Sequence, residues 1–342
     1  MKETDMKSSS ALAFAKGLLC CGLLAAGGAQ AQSQTPAPAT AWPVANKPIT
    51  IVSAYPAGGS SDVLARAIGE RLTEKLKVPV VVENRAGGGG QIAAAYIKQQ
   101  PADGHTIWLG DLGPFVTNQH VYAKLNYDIR RDFVPVARLI NVPVFLVVPF
   151  NSPFKTLDDL VKESKRRPTG LNYGSQGTGL GGHIYGELFK REVQGNFNHV
   201  PYRGSAPALV DLMGGQIDLL HDNVLTSGPF VRDGKIRALA VRAHQRMALF
   251  PDVPTMAELG LGKINHILWF GVVVKAGTPA PVVQQISDEM IAALKHPAVA
   301  KKFTDLGLDI STLGPDEFRK FLSEEYERWG QIIRDTNIRL DE

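Results

Sequence analysis

Strand-like and helix-like runs alternate along most of the chain, and no other feature constrains the fold as strongly. In the run at residues 63–76, apolar side chains repeat at the spacing of one helical face. Strands that alternate with helices are typical of a parallel sheet covered by helices, so the sequence predicts an α/β fold. The first set of alternating runs lies at residues 49–54, 63–76, 78–83, 91–99, 106–109 and 114–122.

A second set of alternating runs follows a long apolar stretch at residues 143–148. Another long apolar stretch, residues 267–274, precedes helical sequence that reaches the C-terminus. If both stretches are strands that cross between lobes, residues 47–142 and 268–342 form one lobe and residues 143–267 form the other. We therefore predict a two-lobed α/β clamshell in which each lobe is a mostly parallel sheet flanked by helices, and the two crossing strands form a hinge.

The first 31 residues have the pattern of a secretory signal peptide. Lys2 and Lys7 precede an apolar stretch at residues 11–26, and Ala29-Gln30-Ala31 supplies a cleavage site of small residues. The uninterrupted apolar run is shorter than the ~20 residues that a membrane-spanning helix needs, which disfavours a membrane anchor. We predict cleavage after Ala31, followed by a flexible lead at residues 32–46 that is rich in proline and alanine.

Composition excludes several kinds of partner and chemistry. Both cysteines, Cys20 and Cys21, lie in the predicted signal peptide, so the exported chain has no thiol for catalysis or metal binding. The formal net charge of +4 is small and the basic residues are scattered, which is not the pattern of a nucleic-acid-binding surface. The 8 histidines are dispersed, without an H-E-x-x-H motif. We expect no metal, no cofactor and no nucleic-acid partner.

Two glycine-rich turns each follow a predicted strand and open a predicted helix. The first reads Tyr-Pro-Ala-Gly-Gly-Ser-Ser-Asp at residues 55–62, and the second lies in the run at residues 171–183. Free N–H groups and the positive dipole end at a helix start favour an anion, and glycine lets a ligand approach the backbone. Ligands of open parallel sheets bind beyond the carboxyl ends of the strands. The two turns therefore predict a clamp on one small anion.

Residues of the first turn have alternative roles. Gly58, Gly59 and Ser60 either form a tight turn or offer N–H groups to a ligand carboxylate, and we favour ligand contact. Asp62 is expected to be the N-cap of the next helix. Its carboxylate could also order the turn or accept from an ammonium group of a ligand. Tyr55 is a candidate wall of the cleft, and so is Trp269.

Further candidates follow the strands of the second predicted lobe. Ser175 and Thr178 either bind the ligand through their hydroxyls or cap the next helix, and His183 is expected to orient the loop. Arg203 is the one basic residue expected near a carboxylate, with a solvated arginine as the alternative. The acidic side chain of Asp222 could bind an amino group of the ligand or hold a water molecule. The predicted ligand-binding residues are Tyr55, Ala57, Gly58, Gly59, Ser60, Asp62, Gly174, Ser175, Gln176, Gly177, Thr178, His183, Tyr202, Arg203, Gly204, Asp222 and Asn223.

Two motifs in the second turn are similar to enzyme motifs but lack essential residues. Residues 177–182 match the dinucleotide pattern G-x-G-x-x-G, yet the next strand ends at Pro201 without the acidic residue that would hold a ribose. Residues 173–177 resemble a nucleophile elbow, with Tyr173 where glycine is required. We predict no catalytic residue. An exported hydrolase that acts on a small carboxylate or ester is the remaining enzyme alternative.

Several short motifs, taken in order, cover nearly all of the chain after the predicted signal peptide. These motifs lie at residues 42–43, 55–62, 83–88, 101–106, 173–179, 201–205, 215–218, 222–223, 234–240 and 251–260. In that order they resemble the Bug family of periplasmic receptors, the substrate-binding proteins of tripartite tricarboxylate transporters.

The resemblance implies the clamshell of a periplasmic binding protein that encloses a small carboxylate. Di- and tricarboxylates, acidic amino acids and aromatic acids all remain open as ligands. It also implies a periplasmic location and delivery of the ligand to a membrane permease or a sensor domain. We expect a monomer.

Overall fold

The computed structural model describes residues 42–340. The predicted signal peptide, residues 32–41 of the predicted lead and both cysteines lie outside this part of the chain. Inside it, two five-stranded sheets are each covered by helices. No helix between residues 42 and 340 is long and apolar enough to cross a membrane.

The first sheet combines four strands from the N-terminal side with one strand from much later in the chain. Its strand order is β2-β1-β3-β10-β4. β1 runs parallel to β2 and β3, whereas β10 is antiparallel to β3 and β4. The prediction of a mostly parallel sheet is therefore confirmed, with one antiparallel strand. The five strands are β1 (Ile49–Ser53), β2 (Val80–Asn84), β3 (Thr106–Asp111), β4 (Phe133–Val142) and β10 (Leu268–Lys275).

The second sheet has the same topology as the first. Its strand order is β7-β6-β8-β5-β9. β6 runs parallel to β7 and β8, and β5 is antiparallel to β8 and β9. The antiparallel strand thus takes the fourth position in both sheets. The strands are β5 (Val144–Pro149), β6 (Leu171–Ser175), β7 (Phe197–Pro201), β8 (Leu219–Asn223) and β9 (Ile236–Arg242).

The chain passes between the sheets twice. The first passage is at Pro143, which separates β4 from β5, and the second lies between β9 and β10. The two long apolar runs of the sequence form β5 and β10, and each of these strands pairs within one sheet only. Each passage between the sheets therefore lies directly before one of the two strands that the sequence analysis placed at the crossings, β5 and β10.

Helices pack against both sheets. The first sheet contacts α1 (Ser60–Leu76), α2 (Gln91–Gln99), α9 (Ala280–Lys295) and α11 (Pro315–Thr336). The second sheet contacts α6 (Gly181–Val193), α7 (Ser205–Met213) and α8 (Val224–Arg232). The remaining helices are α3 (Asn118–Val121), which follows a π-helical turn (Gly113–Thr117), α4 (Ile129–Asp132), α5 (Leu157–Arg166) and α10 (Pro297–Thr304).

Two elements that the sequence analysis missed, β4 and α8, contain proline. Pro135 lies in β4, whose one partner among the five strands of the sheet is β10, so β4 is the edge strand of the first sheet, where proline is tolerated. Pro229 lies inside α8. β10 in the first sheet and β5 in the second are almost entirely apolar and buried, which matches sheets covered by helices.

Candidate functional site

Helix starts from both sheets line one cavity of about 180 Å³. β1 leads into α1 in the first sheet, and β6 and β7 lead into α6 and α7 in the second. The helices therefore begin beyond the carboxyl ends of their strands, where ligands of this fold class bind. The helix starts contribute Ser60 and Ser61 from α1, Gly181 and Gly182 from α6, and Ser205 and Ala206 from α7.

The start of α1 offers free N–H groups at the cavity. Gly59 is the N-cap, and the Val63 N–H donates to the Gly59 oxygen at 3.0 Å. Ser60 and Ser61 come before Val63 in the chain, at the start of the helix. Their N–H groups therefore have no helical carbonyl one turn earlier to which they could donate. Together with the positive end of the helix dipole, they suit an anion.

Asp62 stabilises the first turn from inside α1. Its Oδ2 accepts from the Gly58 N–H and from Arg66 Nε, both at 3.0 Å. Burial opposes the ionisation of this carboxyl, but the hydrogen bonds from Arg66 and Gly58 outweigh burial and lower its pKa. The prediction of Asp62 as the N-cap is wrong, because Gly59 occupies that position and the helix begins at Ser60. The Gly58 bond matches the alternative in which the carboxylate orders the turn.

Two contacts join the loops of the two sheets beside the cavity. The Ser60 hydroxyl donates to the side-chain oxygen of Asn223, which is the N-cap of α8. Pro56 packs against Gly204, the N-cap of α7, so closely that a Cβ on this glycine would lie 3.1 Å from the Pro56 Cγ. The sheets thus approach each other closely enough to enclose a small ligand.

Asp222 orders side chains around the cavity from a buried position. Its carboxylate accepts from Gln176 Nε2 at 2.7 Å, Ser205 Oγ at 2.6 Å and Thr226 Oγ1 at 2.5 Å. Burial raises the pKa of Asp222, and these hydrogen bonds oppose the rise. Gln176 and Ser205 line the cavity, whereas Asp222 does not. Asp222 therefore positions two lining residues.

Stacked aromatic rings support the second glycine-rich turn. The centroids of the His183 and His199 rings lie 3.7 Å apart, and Tyr173 stacks on His199 at 4.9 Å. His183 Nδ1 accepts from the Gly179 N–H at 3.2 Å, which fits the predicted role in orienting the loop. Burial lowers the pKa of His183 to about 4. Burial, together with the electrostatic effect of His183, lowers the pKa of His199 to about 3. Both rings are neutral at pH 7.

Ser175 and His199 have the composition of a hydrolase dyad but not its surroundings. Ser175 Oγ lies 2.6 Å from His199 Nε2, as in a nucleophile paired with its base. Ser175 is completely buried and does not line the cavity. Within residues 42–340, no carboxylate hydrogen bonds to His199, and no group of three His, Cys, Asp or Glu side chains is arranged to hold a metal ion. The contacts of Ser175 therefore support a structural role.

A buried positive charge lies directly behind two residues that line the cavity. Arg242 is fully buried and donates to His221 Nδ1 at 3.1 Å and to the backbone carbonyl oxygen of Tyr185 at 3.3 Å. Burial lowers the pKa of Arg242 to about 10, so the guanidinium remains charged at pH 7. Because arginine only donates, His221 accepts through Nδ1 and carries its proton on Nε2. This charge favours an anion in the cavity.

Comparison with known proteins decides the family. The family model described as tripartite tricarboxylate transporter family receptor matches residues 64–338. The chain belongs to this receptor family. BugT of Bordetella pertussis is 34% identical to the receptor over 305 residues, which cover 89% of this chain and 94% of BugT. The predicted resemblance to Bug receptors is confirmed, and the family consists of periplasmic solute-binding proteins rather than enzymes.

Solved structures of relatives share the fold of the receptor. A Rhodopseudomonas palustris protein solved with adipate is 34% identical, has a TM-score of 0.82, and the match covers 87% of this chain and 99% of that chain. MatC from the same organism, solved with bound malate, is 30% identical and has a TM-score of 0.77. The match covers 83% of this chain and 98% of MatC. The two-lobed α/β fold predicted from sequence is therefore confirmed, and no comparison supports the hydrolase alternative.

The predicted residues divide into three groups in the receptor. Arg203 is exposed at the cavity, and no other residue between 42 and 340 is its hydrogen-bond partner. Gly58, Asp62, Gly174, Ser175, His183 and Asp222 lie within or behind the turns without lining the cavity. Gly177, Thr178 and Tyr202 line a neighbouring cleft of about 670 Å³, opposite a run of glycines at residues 87–90. The cavity itself is lined by Tyr55, Ala57, Gly59, Ser60, Gln176, Arg203, Gly204 and Asn223.

Sequence reasoning missed several residues that line the receptor's cavity. The prediction of Trp269 as a wall is wrong, because this side chain packs against Phe318 and Phe321 on α11. Side chains alternate along a strand, so its neighbours Leu268 and Phe270 line the cavity instead. Asp111 and Tyr185 were also missed. An acidic residue at the carboxyl end of a parallel strand is the signal that could have identified Asp111.

Proposed function

We propose that this receptor captures a small organic acid by binding its carboxylate at the starts of α1 and α7. One observation carries the proposal: a single cavity receives Ser60 and Ser61 from the first sheet and Ser205 and Ala206 from the second. Their N–H groups lie in the first turns of the helices, where no helical carbonyl one turn earlier accepts a hydrogen bond from them. Several charge-assisted hydrogen bonds, each worth about 1.5–3 kcal/mol, can accumulate around one carboxylate.

Two further observations support an anionic ligand of limited size. The Arg203 side chain is exposed at the cavity, and the Arg242 charge lies behind its lining. The volume of about 180 Å³ suits a small acid. Relatives solved with adipate and malate support the same chemical class. The ligand is therefore a small carboxylate from among the di- and tricarboxylates, acidic amino acids and aromatic acids.

The binding cycle that we propose is closure of two lobes about the passages between the sheets. The lobes comprise residues 47–142 with 268–342, and residues 143–267, and they hinge at Pro143 and at the passage between β9 and β10. Ligand first binds the N–H groups of one lobe, and the closed state then adds contacts from the other. Because the ligand binds the closed state more tightly, it shifts the population toward closure.

The remaining parts of the proposal concern the cellular role. The chain is exported, is cleaved after Ala31 and acts in the periplasm as a monomer, since one chain supplies both halves of the cavity. It delivers the acid to a membrane permease or to a sensor domain. It returns the ligand chemically unchanged.

A ligand screen with recovery of the ligand tests this function. Protein that starts at Gln32 is heated with single carboxylates, and native mass spectrometry then gives the stoichiometry and the mass of the released acid. One class of acid should stabilise the protein, by about 2.7 kcal/mol at a concentration a hundredfold above its Kd, and should be released intact. Conversion of the acid, or of its ester, would overturn the receptor function, and so would the absence of any response to carboxylates.

A further inference from the structure

A buried carboxylate lines the same cavity as the helix starts. Asp111 is the last residue of β3 and is only 2% exposed. Its Oδ1 accepts from the Gly113 N–H at 3.1 Å, and its Oδ2 accepts from the Tyr55 hydroxyl at 2.5 Å. A carboxylate can accept about four hydrogen bonds, so these two donors leave part of its capacity free.

Asp111 lacks the partner that a buried charge normally has. Within residues 42–340, no lysine, arginine or histidine forms an ion pair with it, and both of its donors are uncharged. Burial raises the pKa of Asp111 to about 6, against the opposing effect of the Tyr55 and Gly113 hydrogen bonds. The group is therefore mainly ionised at pH 7, and it places a negative charge in the lining of the cavity.

An unpartnered hydroxyl from the other sheet shares this environment. Tyr185 on α6 is completely buried and lines the cavity, and its hydroxyl has no hydrogen-bond partner in the described part of the chain. Burial raises the pKa of Tyr185; the charge of Arg242 opposes the rise and the charge of Asp111 adds to it. Burial raises the pKa of Tyr55, and Asp111 adds to the rise. Tyr55 donates to Asp111, and Tyr185 lines the same cavity from the second sheet, so both sheets contribute polar side chains to this polar group.

The remaining wall around this polar group is apolar. Phe270 on β10 is the register partner of Asp111 and lines the cavity, as do Leu268 and Val144. Electrostatic interactions are strong where apolar walls exclude water. A second carboxylate of a ligand would be repelled by Asp111 there, whereas a cation would be attracted.

We propose that Asp111 and Tyr185 form a subsite for an ammonium group, so that the ligand of this receptor is an acidic amino acid or another amino-carboxylate rather than a di- or tricarboxylate without an amino group. This inference rests on the proposed function, in which the helix starts bind the ligand carboxylate. Asp111 accepts one hydrogen bond from the ammonium group through its free acceptor capacity. The hydroxyl oxygen of Tyr185 accepts a second hydrogen bond from the same ammonium group. Asp111 is then a specificity-determining residue.

Matched ligands test the subsite on the unaltered protein. Isothermal titration compares acids that share one carboxylate and one chain and that carry ammonium, hydrogen or a second carboxylate at the other end of the chain. The first set is 4-aminobutyrate, butyrate and glutarate. Glutamate, 2-aminobutyrate and the corresponding sets with three and five carbons are measured in the same way. The tightest ligand should carry an ammonium group, and its analogue without the amino group should bind ten- to a hundredfold more weakly. Tightest binding of a dicarboxylate without an amino group would overturn the subsite and leave the proposed function intact. Failure of every acid to bind would contradict the proposed function itself.

Asp111→Asn assigns the effect to this residue, because it removes the charge and retains the shape. Affinity for the amino ligand should fall at least tenfold, affinity for its deaminated analogue should stay within twofold, and affinity for the matched dicarboxylate should rise. Asp252→Asn, which changes an exposed acid, should alter none of the three. Equal loss for all three ligands in a folded Asp111→Asn protein would overturn the proposal. If this variant does not fold, Tyr185→Phe and the ligand comparison on the unaltered protein decide the question.

Discussion

The hydroxyl of Ser60 donates a hydrogen bond to the side-chain oxygen of Asn223, and this bond connects the start of α1 to the N-cap of α8. Ser60 begins the helix that follows β1 of the first sheet, Asn223 ends β8 of the second, and both line the cavity. One contact between elements of the two sheets therefore lies beside the N–H groups that we propose for the ligand. This proximity gives a physical link between ligand binding and closure.

Ser60→Ala should weaken ligand binding without unfolding the protein. The variant removes one hydrogen bond of the closed state, worth about 0.5–1.5 kcal/mol, so the Kd should rise about two- to tenfold. Isothermal titration with the acid that gives the largest thermal shift measures this change. Ser323→Ala, an exposed serine on α11, is the matched control and should leave the Kd unchanged.

A double-mutant cycle separates the bond from other effects of the two residues. Asn223→Ala removes the acceptor of the same bond, so the Ser60→Ala change should have little further effect in its presence. Independent, fully additive losses would contradict a role of this bond in closure.

Gly204→Ala should prevent full closure of the cavity. The added Cβ would lie 3.1 Å from Pro56 Cγ, across the contact between the two sheets. The same substitution at Gly215 adds a Cβ with nothing within 4 Å, and both glycines have positive φ, +103° and +71°. Both variants should therefore lose about 1–3 kcal/mol of stability through backbone strain, but only Gly204→Ala should raise the Kd, by about tenfold or more. Equal ligand affinities of the two variants would refute the closure contact.

Asp222→Ala should reduce both stability and ligand affinity. Removing the carboxylate leaves the buried Ser205 hydroxyl without its acceptor, whereas Gln176 still donates to the His221 carbonyl and Thr226 to Asn223. A buried group left unpaired costs about 1–3 kcal/mol, so urea unfolding should show a loss of about 1–3 kcal/mol. Asp252→Ala, at an exposed position, should change stability by less than about 0.5 kcal/mol. A stable Asp222→Ala protein with unaltered Kd would contradict the positioning role.

The stacked histidines should make stability depend on pH below neutrality. Burial lowers the pKa of His183 to about 4 from its ordinary value of 6.5. Between these values the unfolded chain binds more protons at this residue than the folded chain, so stability falls as the pH falls from about 6.5 to 4. His183→Gln removes this contribution and should flatten the profile by up to about 1.4 kcal/mol per pH unit.

Urea unfolding at pH 7, 5.5 and 4.5 measures the difference between the two profiles. The difference is the informative quantity, because Asp111 acts in the opposite direction. Its pKa is raised to about 6 from 3.8, so the folded chain binds more protons at this residue as the pH falls through that range, and stability rises. Parallel profiles for the unaltered protein and His183→Gln would exclude a contribution of the stacked pair.

Local sequence signals were sufficient to predict the glycine turns and most helices and strands. The predicted helix at residues 91–99 has the observed limits of α2, and both turns precede helix starts at the cavity. The turn at residues 55–62 could be predicted because glycine, serine and the following apolar periodicity are close together in the chain. The side chains that complete the cavity depend on contacts that the local sequence does not contain.

Asp111 illustrates what strand limits taken from the local sequence miss. It lies two residues beyond the predicted end of its strand, and its pairing with Phe270 depends on the insertion of β10 between β3 and β4. Trp269 was assigned to the wrong face because the orientation of β10 depends on the same pairing. β4 was missed because Pro135 is a strand breaker in most contexts, and its edge position became evident only with the sheet order.

A structure of the receptor with the acid that gives the largest thermal shift tests the central claim most directly. The ligand carboxylate should lie in the cavity with its oxygens within about 3.2 Å of N–H groups at the starts of both α1 and α7. A carboxylate that contacts only one of the two sheets, or that lies in the neighbouring cleft lined by Gly177, Thr178 and Tyr202, would contradict the account.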